Sequence, residues 1–163
     1  MLRKLLLASG EAPVLTDLTF EVNTALISGT TISFTLYRFS GFGSGSVDWG
    51  DGSDFVFATS STSITLSHTY ATEGVYRISA FVTLMNSFTI NTPALTRCIS
   101  FGNQNLTSLQ SSFADCTNLV EVPSTLPSNV TSLNSTFRAC TSFNQSIDSW
   151  DVSSVTNMAA TFN

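Results

Sequence analysis

The chain's densest chemistry lies between Asp48 and Glu73: the carboxylates of Asp48, Asp51, Asp54 and Glu73, and the only histidine, His68. Four hard oxygen donors could hold a calcium ion, although their spacing is not that of an EF-hand loop. A histidine near carboxylates could act as a general base. It would then need a nucleophile or a metal within reach, and the surrounding residues supply neither. Cys98, Cys116 and Cys140 are odd in number and form no CxxC pair, so neither a zinc knuckle nor a full disulfide framework is supported. The chain has no glycine-rich phosphate loop and no Cys/His pairing. The expectation is a non-enzymatic protein without cofactor or metal, with His68 structural and a calcium site at Asp48, Asp51, Asp54 and Glu73 as the alternative.

Strands must position these residues. Leu18, Phe20 and Val22 alternate with Asp17, Thr19, Glu21 and Asn23, and Ile32, Phe34 and Leu36 alternate with Thr31, Ser33 and Thr35. This period of two is the mark of a half-buried strand. The run Ser40 to Ser46, rich in glycine and serine, reads as a flexible loop. Val47 and Trp49 restart the alternation, and Tyr76, Ile78, Ala80 and Val82 continue it against Arg77, Ser79 and Thr83. Short alternating strands with such punctuation predict an antiparallel sandwich. In the turn Asp48-Trp49-Gly50-Asp51-Gly52, the glycines can adopt positive φ and Asp51 can accept from backbone N–H groups ahead of it.

That turn and the later segment His68-Thr69-Tyr70 with Gly74-Val75-Tyr76-Arg77-Ile78 resemble the polycystic kidney disease (PKD) type of immunoglobulin-like domain. Its hallmarks are a W-G-D-G turn and a downstream H-x-Y…G-x-Y-x-[VI] segment, and the resemblance covers nearly half the chain. It implies that Trp49, Gly50, Asp51, Gly52, His68, Tyr70, Gly74 and Tyr76 are structural motif positions.

The remainder repeats. Thr107 to Leu119 aligns with Thr131 to Phe143, and a third start follows at Thr156. Leu109, Phe113 and Cys116, and then Leu133, Phe137 and Cys140, stand at i, i+4 and i+7, which predicts one face of a short helix in each unit. Leu119 and Val122, followed by Pro123 and Pro127, predict a short extended segment and a turn. A unit this short cannot bury its own apolar face and must stack on its neighbours. The run Ser142-Phe143-Asn144-Gln145-Ser146-Ile147-Asp148-Ser149-Trp150-Asp151-Val152-Ser153-Ser154-Val155-Thr156-Asn157-Met158 resembles the BspA-like leucine-rich repeats of bacterial surface proteins, Mycoplasma lipoproteins and marine phage proteins. The segment Cys98 to Leu109 is similar to the first strand and cap of such arrays. Trp150 and Met158 join the expected repeat core.

The expected fold is therefore mainly β: an N-terminal arm (1–13), an immunoglobulin-like PKD-type sandwich (14–92), and a short leucine-rich-repeat-like solenoid with short helices (93–163). Only 10% of residues are charged, with Lys plus Arg at 6 against 11 acids and a net charge of −5, which argues against nucleic acid as a partner. The leucine run near the start is too short for a secretory signal, and no run approaches the roughly 18 apolar residues of a membrane span. Modules of extracellular type without an export signal point to a phage structural protein on the virion surface: a capsid decoration, head fibre or tail appendage. Leu2, Leu5, Leu6 and Leu7 would anchor its arm to a capsid or tail protein. A host surface glycan or protein and further copies of the chain are the other expected partners. The alternatives are a bacterial cell-surface adhesin and a carbohydrate-binding accessory module of a larger enzyme, for which Trp49, Trp150 and exposed Phe or Tyr residues would be the stacking positions.

Overall fold

The computed structural model describes residues 17–38, 43–102 and 105–163. The arm leucines Leu2, Leu5, Leu6 and Leu7 lie outside the described residues. Eight strands follow in order: β1 (Leu18–Asn23), β2 (Thr31–Arg38), β3 (Gly43–Asp48), β4 (Asp54–Thr59), β5 (Ser63–Thr69), β6 (Val75–Val82), β7 (Met85–Thr89) and β8 (Leu95–Phe101). They form a five-stranded antiparallel sheet, β4-β3-β6-β1-β8, and a three-stranded antiparallel sheet, β5-β2-β7. The alternation predicted for β1, β2 and β6 turns Phe20, Val22, Phe34, Leu36, Ile78 and Ala80 into a common core. There Phe20 meets Phe34 at 5.8 Å and Phe88 at 5.5 Å, joining the two sheets. Large rings of this kind carry much of the buried apolar area of a small core.

One expectation fails at β3. Gly43 to Ser46 are strand residues paired with β4 and β6, not loop. The glycines that suggested flexibility serve close approach instead: a Cβ on Gly45 would lie 2.4 Å from the Phe81 carbonyl oxygen and 2.5 Å from the Phe57 ring.

The predicted short helices are also absent. Among the described residues the only helical element is the 3-10 turn Thr24–Leu26. In the repeats, Leu109, Phe113 and Cys116 lie on successive tight turns, with Ser112 N–H donating to Leu109 O and Cys116 N–H to Phe113 O. Leu133, Phe137 and Cys140 repeat the pattern. Ser111, Asp115, Ser135, Ala139 and Ala160 have positive φ between 52° and 65°, which no α-helix allows. Turns of four and then three residues reproduce the i, i+4, i+7 spacing of a helix face, so the pattern alone misidentifies them.

A ladder between coils holds this backbone. The N–H groups of Leu109, Ser111, Phe113 and Asp115 donate to the carbonyls of Ser132, Asn134, Thr136 and Arg138. The same residues one repeat later donate to Asn157, Ala159, Thr161 and Asn163. Satisfying the axial N–H groups on the neighbouring coil removes the incentive for i→i−4 bonding.

The two sheets and the coils are continuous. The Asn86 carbonyl of β7 accepts from Thr107 and Ser108, Ile90 N–H donates to Ser112 O, and Ser108, Ser132 and Asn157 form successive parallel bridges. The three-stranded sheet thus runs on into the turns. On the other side β8 pairs with β1 by one edge and, through Arg97 and Glu121, with the first coil by the other. Arg97 also reaches Glu121 at 2.7 Å and Glu21 of β1 at 3.7 Å.

Candidate functional site

The predicted motif residues converge at one corner, where β3 ends and β5 and β6 meet. Trp49, 3% exposed, stacks on His68 at 5.0 Å with an 18° tilt. His68 meets Tyr70 edge-on at 4.7 Å, and Tyr70 stacks on Tyr76 at 3.8 Å. The Tyr70 hydroxyl donates to Trp49 O at 2.8 Å, and burial raises its pKa so that it stays a donor. Gly50 has φ +82°, and a Cβ there would lie 2.5 Å from Arg77 O, so conformation and space both demand glycine. Gly52, at φ +92°, has no atom that a Cβ would meet. Gly74 precedes β6 and donates its N–H to Thr24 Oγ1.

Asp51 is the electrostatic centre of the corner. Its Oδ1 accepts from Ser53 N–H at 3.0 Å and Ser53 Oγ at 2.6 Å, and its Oδ2 meets His68 Nε2 at 2.7 Å. The Ser53 hydroxyl, then His68, then the Ser53 N–H hold its carboxyl down to about 2. The ionised carboxylate can only accept, so His68 carries its proton on Nε2. A nucleophilic serine needs its base within hydrogen-bond reach. Here Ser53 Oγ donates to the carboxylate and not to the imidazole, an order that fixes a turn and leaves the hydroxyl unactivated.

Asp48 accepts from Gly50 N–H at 2.8 Å, Asp54 opens β4, and Glu73 is exposed in the segment before β6. Among the described residues no three Asp, Glu, His or Cys side chains converge as a metal would require. A shallow cleft of about 370 Å³ beside the corner is lined by Trp49, Ser53, Phe55, Thr65 and His68 among others.

In the coils, Leu109, Phe113, Cys116, Leu133, Phe137, Cys140 and Trp150 are buried. Met158 occupies the position of Leu109 and Leu133 in the last described coil and is 47% exposed there, with no described residue stacked beyond it. Phe162, which follows Phe113 and Phe137 in a stacked ladder, is likewise exposed. The three cysteines are free and buried. Cys116 Sγ donates to Ile90 O at 2.8 Å and Cys140 Sγ to Phe113 O at 3.0 Å. Burial pushes their thiols up to about 12 and about 11, so neither ionises near neutral pH. Trp49 and Trp150 are both buried, and Trp150 Nε1 is bonded to Pro123 O, so neither offers a free face for stacking a ligand.

Sequence reasoning missed three buried hydroxyls. Ser112 donates to Phe88 O, Thr136 to Leu109 O and Thr161 to Leu133 O, at 2.8–3.0 Å. Each stands immediately before a repeat phenylalanine, and that recurrence of Ser or Thr was the available signal. Gln145, which stands in the run that resembles BspA-like repeats without a role attached to it there, pairs its amide with both N–H and C=O of Val122.

Residues 107–163 match the family model described as "Mycoplasma protein of unknown function, DUF285". The match begins beyond the last strand and falls on the stacked turns. No curated protein and no solved structure matches the chain.

Proposed function

We propose that this chain is a non-enzymatic structural protein displayed on the surface of a phage particle, as a capsid decoration, head fibre or tail appendage, with adhesion to a host surface protein or glycan as its contact role. In this reading the two sheets are a PKD-type immunoglobulin-like sandwich serving as a spacer, and the turns are a short BspA-like leucine-rich-repeat solenoid. The observation that supports it is the junction. Backbone hydrogen bonds join β7 and β8 directly to the first coil, and a single apolar cluster runs from Phe20 through Phe88 and Phe113 to Phe137. A display element must hold its outer surface at a fixed place relative to its anchor, and a shared core does this without a hinge. Mass spectrometry of purified particles tests the proposal; the chain should be present in stoichiometric amount, and its absence overturns it.

A second reading, a bacterial cell-surface adhesin, is favoured by the DUF285 match, whose description concerns Mycoplasma proteins. Recovery of the chain by protease shaving of intact cells, rather than from particles, would select it.

A further inference from the structure

We infer that the outer face of the three-stranded sheet binds a neutral polysaccharide, with Tyr37 as the stacking platform. This deepens the adhesion part of the display reading and rests on it for biological meaning, but the binding belongs to the isolated chain.

On β2, β5 and β7 the side chains turned away from the core are serine, threonine or tyrosine, apart from Asn86 at the irregularity in β7. None is charged: Arg38, the only lysine or arginine on these strands, is turned to the other side and buried. Neighbouring strands stand about 4.8 Å apart and same-face residues about 6.8 Å apart along each strand. The result is a grid of hydroxyls at spacings on the order of a sugar ring.

The hydroxyls are also oriented. Thr31 pairs with Thr69 at 2.8 Å, Ser33 with Ser67 at 2.9 Å and Thr35 with Thr65 at 2.9 Å across β2 and β5. Each pair spends one proton internally and keeps acceptor lone pairs and a second proton for a ligand. Such pre-set groups lose little rotamer freedom on binding. Tyr37, 38% exposed on the central strand, sits opposite Ser63 on one side and Ser87 on the other. A rigid amphipathic ring among small adaptable hydroxyls is the composition of surfaces that recognise polar, uncharged ligands.

The alternatives fit less well. Nucleic acids and acidic glycans require cations to offset their charge, and the face has none. A second copy of the chain would bury the hydroxyls against one another, a cost that only fully matched pairs recover, and serine is depleted from protein interfaces. A pyranose offers what the face lacks: a C–H surface for the Tyr37 ring and several hydroxyls to complete the paired ones.

Affinity gel electrophoresis of the full chain through dextran, hydroxyethyl cellulose, galactomannan and, as the charged control, alginate tests the inference. A face with one ring should give a dissociation constant of about 1 mM. Retardation by at least one neutral polymer should be the same at low and high salt. It should fall about five- to tenfold in Tyr37→Ala, stay near wild type in Tyr37→Phe, and be unaffected by Val56→Ala, an exposed apolar residue of the five-stranded sheet. Melting temperatures of the Tyr37 variants should match wild type. No retardation by any neutral polymer, salt-sensitive retardation by alginate alone, full retention in Tyr37→Ala, or concentration-dependent self-association in place of polymer binding would each overturn it. Particle mass spectrometry fails or succeeds independently, so loss of the display reading and loss of this site are separately visible.

Discussion

The two-sheet region and the stacked turns bury similar side chains by different means. In the sheets, long strands with strict alternation hold Phe20, Phe34 and Ile78 inside, and the backbone is satisfied by antiparallel partners remote in sequence. In the turns each coil satisfies its backbone on the coil 23 to 25 residues away, and non-glycine residues such as Ser111 and Ala139 are held at positive φ, a cost of about 1 kcal/mol each. Strand geometry is tolerable in isolation, whereas the turn geometry is held by backbone hydrogen bonds to a neighbouring coil. The first coil gives its N–H groups to the second and rests with its other side on β7 and the residue after it: the Phe88 and Ile90 carbonyls accept from the side chains of Ser112 and Cys116 as the Leu109 and Phe113 carbonyls accept from those of Thr136 and Cys140, and Ile90 N–H donates to Ser112 O. The sheets are the template on which the turns are built.

The hardest blow to this relation is Phe113→Ala. Phe113 is fully buried and touches Phe88, Phe101 and Phe137, so truncation should cost about 3–5 kcal/mol. Trp49 and Trp150 report on the two regions separately. In Trp49→Phe and Trp150→Phe backgrounds, denaturant unfolding followed by the remaining tryptophan should give coincident transitions for the parent chain. Separate midpoints there would mean that the junction does not couple the regions.

A smaller effect is confined to the sheets. Gly50→Ala must accommodate both positive φ and a clash with Arg77 O, and should lose about 2–3 kcal/mol; Gly52→Ala bears only the φ penalty, about 1 kcal/mol. Equal losses in thermal melts would mean that the Arg77 contact is not what fixes the turn.

The acid limb tests one contact within the sheets. The Asp51 carboxyl is held at about 2 against an ordinary 3.8, so its stabilisation is complete above the higher value and is lost as pH falls from about 4 towards 2. Asp51→Asn should flatten that part of the melting-temperature profile. An unchanged slope would assign the acid limb to other carboxylates.

The smallest expected effect is none. Cys116 and Cys140, with thiols raised by burial, should not react with a thiol reagent in the native chain at neutral pH and should react fully once it unfolds. Rapid native labelling of Cys140 would show that the turns open while the sheets stay closed.

By itself the sequence determined the strands whose faces alternate, the tight turn at Gly50 and Gly52, and the repeat register, because each follows from a local period or a local conformational need. It also located the convergence of Trp49, His68, Tyr70 and Tyr76, though only through resemblance to a known motif. The pairing of Asp51 with His68, the strand identity of Gly43 to Ser46 and the turns in place of helices were decided by tertiary structure. In every one of these the deciding partner lies far along the chain: His68 for Asp51, Phe57 and Phe81 for Gly45, and the next coil for Ser111. A spacing of i, i+4, i+7 specifies which side chains share a side, but only a neighbouring backbone decides whether a helix or a stack of turns carries them.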